Sequence, residues 1–93
     1  MKQRGLLIKT TGEESFIDSA FEEFSLEELQ GVVGGLIELC ETNTGKVMVI
    51  NEEGKLIPLP FNPKATMLYK YNDQDVIMGD VIMGDVLIVD SLS

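Results

Sequence analysis

Between Lys9 and Lys46 the chain has neither lysine nor arginine, and over its whole length it has no histidine and a single cysteine. Each shortage excludes something. Without histidine, the usual general base at neutral pH and the commonest metal ligand are missing. Cys40 alone cannot close an intramolecular disulfide or build a structural zinc site, so a reducing compartment is the simplest fit. Cys40 also has no neighbouring base or cation in sequence to activate it, which favours a packing role over nucleophilic chemistry. No run of 18 apolar residues exists, so no helix is expected to span a membrane. Leu6-Leu7-Ile8, behind a basic start, is too short for a signal-peptide core, and the expected location is the cytoplasm. The cation-free stretch argues against direct nucleic-acid binding, which needs clustered Lys and Arg. Gly31, Gly34 and Gly35 lack the Lys-Ser/Thr ending of a phosphate-cradling loop. No cofactor, no metal and no enzymatic activity are expected.

What the cation-free stretch does hold is nine carboxylates: Glu13, Glu14, Asp18, Glu22, Glu23, Glu27, Glu28, Glu38 and Glu41. With a formal net charge of −9 on 93 residues, charge of one sign on part of a small fold steers a partner of the opposite sign. The length suits one domain over residues 1–93, with one modest core.

Gly5 to Thr10 reads as a first strand, and Ser15-Phe16-Ile17-Asp18 as its hairpin return across the Thr11–Glu14 turn. Phe16, Phe21 and Phe24 are expected at the core or its edge. Ser25-Leu26-Glu27-Glu28 matches a capping box, followed by Leu26, Leu29, Val32 and Val33 at helical spacing. Gly34-Gly35 should end this helix, although Leu36, Ile37 and Cys40 also fit its continuation. Leu36 to Glu41 and Lys46 to Asn51 flank Thr42-Asn43-Thr44-Gly45 as a hairpin, and Lys55-Leu56-Ile57 is the expected third strand of a meander. Pro58 and Pro60 end the pairing. Asn62-Pro63 reads as an N-cap followed by proline at the first helical position, giving a short helix to about Tyr69 that sets Ala65, Leu68 and Tyr69 on the sheet. A last strand is expected near Val86 to Val89. The fold class is α+β: a small mixed or antiparallel sheet with one amphipathic helix and one short helix packed on one face.

Val76-Ile77-Met78-Gly79-Asp80 recurs without change as Val81-Ile82-Met83-Gly84-Asp85. An offset of five reverses the facing of every side chain in a continuous strand, so one copy is expected in a turn, bulge or irregular approach to the last strand. Large side chains on both faces of Val76 to Met83 point to a homo-oligomer contact. Asp73, Asp75, Asp80 and Asp85 lack the glycine placement and closing Glu of a dedicated calcium loop.

Two blocks carry a resemblance: Leu29-Gln30-Gly31-Val32-Val33-Gly34-Gly35-Leu36-Ile37-Glu38, and Asn51-Glu52-Glu53-Gly54-Lys55-Leu56-Ile57-Pro58-Leu59-Pro60-Phe61-Asn62. With Ala65-Thr66 and the closing Gly84–Val89, they resemble a small family of domains of unknown function found in bacteriophages and mobile elements. The resemblance covers roughly residues 26 to 90 and implies a phage or prophage accessory protein that works inside a bacterial host cell, with no established catalytic residues. Gly34, Gly35, Asn51, Gly54 and Asn62 are expected as fold-determining turns that could converge to line a pocket.

The expected function is a non-enzymatic protein that binds and inhibits a host defence or nucleic-acid-handling protein. Glu13, Glu14, Asp18, Glu22, Glu23, Glu27 and Glu28 would occupy the partner's basic groove in imitation of spaced phosphates. An alternative is a sponge that sequesters a nucleotide signal at a homo-oligomer pocket, which requires Arg4, Lys46, Lys55 and Lys64 to line one cleft. A third is a structural or assembly protein of the phage particle.

Overall fold

Val47-Met48-Val49-Ile50 and Val86-Leu87-Ile88-Val89 are apolar at four consecutive positions. That pattern suits strands covered on both faces, because successive side chains point to opposite sides of a sheet. The computed structural model, which describes residues 2–54, 56–69 and 81–91, shows this arrangement. Among the described residues seven elements follow in order: β1 (Arg4–Ile8), β2 (Glu14–Asp18), α1 (Leu26–Val33), β3 (Ile37–Glu41), β4 (Val47–Asn51), α2 (Pro63–Leu68) and β5 (Val86–Val89). The strands form one sheet in the order β2-β1-β5-β4-β3, with every neighbouring pair antiparallel. The last strand thus enters the centre, aligning Ile88 with Leu6 on one side and with Met48 on the other.

Both helices form where the capping chemistry places them. Ser25 and Glu28 complete a reciprocal capping box at the start of α1, and Gly34 ends it in the left-handed conformation at φ 80°. Asn62 caps α2, accepting the Ala65 N–H, with Pro63 at its first position. The two helices lie on opposite faces of the sheet, which corrects the expectation of a single covered face. α1 sets Leu29 and Val33 with Phe24 against Val49, Leu87 and Val89. α2 sets Ala65, beside Ile82, against Ile8, Met48, Val86 and Ile88, with Leu68 and Tyr69 packed alongside. The α+β class stands, with an antiparallel sheet.

Two further expectations are corrected. The expected third strand is absent at its described positions: residues 56–58 are turn backbone and Leu56 and Ile57 are exposed, while Lys55 lies outside the described residues. The free side of β4 is taken by β5, whose four buried apolar residues serve both cores, whereas Leu56-Ile57 is cut short by Pro58. Of the three phenylalanines expected at the core or its edge, Phe24 is in the core but Phe16 and Phe21 are exposed.

The second copy of the repeated pentad is an irregular approach to β5, as expected. Ile82 enters the core, Met83 bridges to Phe61, and the Gly84 N–H donates to the Pro60 carbonyl at 2.7 Å. Gly84 sits at φ 85°, where a Cβ would stand 3.0 Å from Leu59 Cδ1. The first copy, Val76–Asp80, lies outside the described residues, as do Asp73 and Asp75, so most of the stretch assigned to an oligomer contact does too. Tyr69 and Val81 line one small cleft, so the chain ends flanking residues 70–80 are close. Deleting one pentad preserves the sequence that enters β5. The deletion variant is expected to melt within about 4 °C of the parent. Loss of cooperative thermal unfolding would show that both copies are required.

Candidate functional site

The hairpin β1–β2 and the segment into α1 carry the seven acidic residues singled out above, and the fold divides them. Asp18 meets Arg4 Nε at 3.0 Å, and Glu13 lies 3.8 Å from Lys9 Nζ. Glu14 pairs with Lys64 of α2, whose ammonium also donates to the Gly12 carbonyl. Glu28 is engaged by backbone: it accepts the N–H groups of Ser25 and Ala20, both at 2.9 Å. Those two bonds, Ser25 first, hold its carboxyl below the usual glutamate range. Glu22, Glu23 and Glu27 stand exposed between residues 20 and 27, and Glu22 and Glu27 form no ion pair among the described residues.

Two large exposed apolar side chains share that segment. Phe21 is 80% exposed and Leu26 58% exposed. Their display follows from the way the loop is pinned. Buried Ser19 exchanges bonds with Gln3: its N–H donates to the Gln3 carbonyl, and its hydroxyl accepts the Gln3 N–H at 2.9 Å. The same hydroxyl donates to the Phe21 carbonyl. The Gln3 side chain accepts the Phe24 N–H at 3.1 Å, Phe24 fills the core, and Glu28 holds Ala20. Residues 20–27 are therefore fixed at both ends while Phe21, Leu26 and three carboxylates face solvent. Sequence reasoning found the acids but missed Phe21 and Leu26, since Leu26 fitted the helical apolar stripe.

The two glycine- and asparagine-bearing blocks do converge. Gly35 lacks a side chain where a Cβ would approach Asn51 Nδ2 to 3.1 Å. Asn51 is buried, donates to the Val33 carbonyl at 3.1 Å and accepts the Glu53 N–H at 2.8 Å. Gly54 is packed between the backbone carbonyls of Asn51 and Met83, each 3.3 Å from the position of a Cβ. Asn62 is completely buried, donating to the carbonyls of Ile8 at 3.0 Å and Gly84 at 2.9 Å while it caps α2. These side chains spend their polar capacity on the chain itself and act as braces. Asn51 and Gly54 also line a small cleft of about 140 Å³ with Glu38, Cys40, Glu52 and Tyr69 among others, and Gly34 lines a separate one.

Of the four cations that a nucleotide sponge requires in one place, Arg4 and Lys46 line a common cleft of about 470 Å³. Lys64 is held by Glu14, and Lys55 lies outside the described residues. Burial and the nearby Glu38 push the Cys40 thiol up to about 11, so almost none of it is thiolate at neutral pH. Among the described residues no group of three or more His, Cys, Asp or Glu is placed to hold a metal ion, and no helix is long and apolar enough to cross a membrane.

Comparison with protein families gives a match over residues 2–92 to the model described as Domain of unknown function (DUF3846). No curated protein and no solved structure matches the chain.

Proposed function

The chain belongs to the DUF3846 family of unknown function, and from that premise we propose that it is a non-enzymatic binding protein that docks through residues 20–27. The partner is a protein whose basic groove carries an apolar socket. In a phage or mobile-element setting this is a host defence or nucleic-acid-handling protein, inhibited by occupation of the groove. The observation that carries the reading is the pinned loop that exposes Phe21 and Leu26 beside Glu22, Glu23 and Glu27. Aromatic anchors supply most of the energy of such contacts, and surrounding charge sets association rate and specificity. Glu22 and Glu27 take the place of phosphates in the groove, whereas Glu13, Glu14, Asp18 and Glu28 are already engaged by cations or backbone of the chain itself.

Phe21→Ala is expected to weaken the complex by about 2 kcal/mol, or roughly 30-fold. Glu22→Lys with Glu27→Lys should abolish capture at low salt, at a helix-dipole cost of about 0.3–1 kcal/mol from the second change. The check is affinity capture from a bacterial lysate at low and high salt, using wild type and the three-residue variant. Stoichiometric capture of a nucleic-acid-handling protein by wild type alone, released by salt, is the expected result. Equal capture by the variant would reject this surface.

A further inference from the structure

Among the described residues the α2 face of the sheet is only partly covered, because α2 has six residues. Beyond its last turn, Leu6, Phe16 and Ile88, one from each of three adjacent strands, form an apolar floor together with Leu68. At about 470 Å³ the resulting cleft is the most spacious of those described here and falls within the range of small-molecule sites. Its mouth is lined by Arg4, Lys46, Thr44 and Asp90.

The free hydrogen-bonding capacity of that mouth is mostly donor. Arg4 uses Nε on Asp18, which leaves the terminal guanidinium nitrogens to donate elsewhere, and its guanidinium lies 5.8 Å from the centre of the Phe16 ring. Lys46 Nζ is 3.3 Å from one oxygen of the exposed Asp90, leaving further N–H donors. Thr42 Oγ1 already accepts the N–H groups of Lys46 and Thr44 and lies 3.0 Å from Thr44 Oγ1. Either hydroxyl can be the donor of that pair, and with Thr42 donating the Thr44 proton is available to a ligand. Asp90 is the competing acceptor.

We propose that this cleft binds a small organic oxyanion on a flat apolar body, such as an aryl carboxylate or aryl phosphate. The ring lies on Phe16, Leu6 and Ile88, and the oxygens are received by Arg4, Lys46 and Thr44. Charge-assisted bonds from a planar guanidinium favour an oxyanion, while the apolar floor selects against inorganic anions. The site is separate from the docking of residues 20–27 and stands or falls without it.

The test is a methyl-detected NMR titration with 2-naphthoate and, in parallel, its neutral analogue 2-naphthamide. Saturable shifts at Leu6, Leu68 and Ile88 are expected for 2-naphthoate, with the amide about tenfold weaker. Arg4→Gln with Lys46→Gln should weaken 2-naphthoate by at least about tenfold; both side chains are exposed and their surface ion pairs contribute little to folding. Asp90→Asn should strengthen binding by removing the internal competitor. Equal affinity for acid and amide would overturn the proposal. So would unchanged affinity in the double variant, or no saturable shift at these methyls up to ~10 mM probe.

Discussion

Asn62→Ala is expected to lower stability by about 3–5 kcal/mol, a large part of what a domain of this size possesses. The side chain is buried and serves three places at once. Its amide donates to the end of β1 at Ile8 and to Gly84 before β5, and its oxygen receives the Ala65 N–H in the first turn of α2. Loss of the cap alone is worth about 0.5–2 kcal/mol. The remainder comes from two buried carbonyls deprived of a donor, each about 1–3 kcal/mol, reduced where water or slight movement re-satisfies them. The measurement is urea unfolding followed by circular dichroism. A midpoint displaced by less than about 0.5 kcal/mol equivalent would mean that the three joined segments are held independently of Asn62.

Asn51→Ala should cost about 2–3 kcal/mol, and its partner in the first block gives a sharper check. Gly35→Ala brings a Cβ to 3.1 Å from Asn51 Nδ2, so it is expected to be destabilising in the parent. In the Asn51→Ala background the obstacle is gone, and the same change should be close to neutral. The two substitutions are therefore predicted to be non-additive by at least about 0.5 kcal/mol, measured by denaturant unfolding of the double-mutant cycle. Additive costs would show that the two blocks are neighbours without being coupled.

The parts of the fold that sequence conveys are those fixed by local chemistry. Ser25 with Glu28, Gly34, and Asn62 with Pro63 mark helix ends within four residues of the groups they satisfy. The Thr42–Gly45 turn fixes the β3–β4 hairpin register in the same way. What was misjudged depends on distant partners. The meander through Leu56 and Ile57 was plausible locally, but β5 comes from far along the chain to occupy the side of β4. The two covered faces were in fact encoded in the unbroken apolar runs of β4 and β5, a signal overridden by the assumption that both helices share one side. The acidic stretch looked uniform because its counter-ions are remote in sequence: Glu14 meets Lys64 across 50 positions, and Asp18 meets Arg4 across 14. Similarly, the Gln3–Ser19 bonds that display Phe21 have no local signature.

Stability and docking make separable demands on this chain. Asn51, Asn62 and the glycines around them hold three layers together, whereas Phe21, Leu26, Glu22 and Glu27 are exposed. Changes in the second group should alter partner affinity with little effect on the unfolding midpoint.

The most direct measurement is backbone amide hydrogen exchange of the protein alone and with the captured partner bound. Protection is expected to increase within residues 20–27 and to leave the outer strand β3 and the Arg4–Lys46 cleft unchanged. Protection confined to β3 or to that cleft, with residues 20–27 exchanging as in the free protein, would contradict the account.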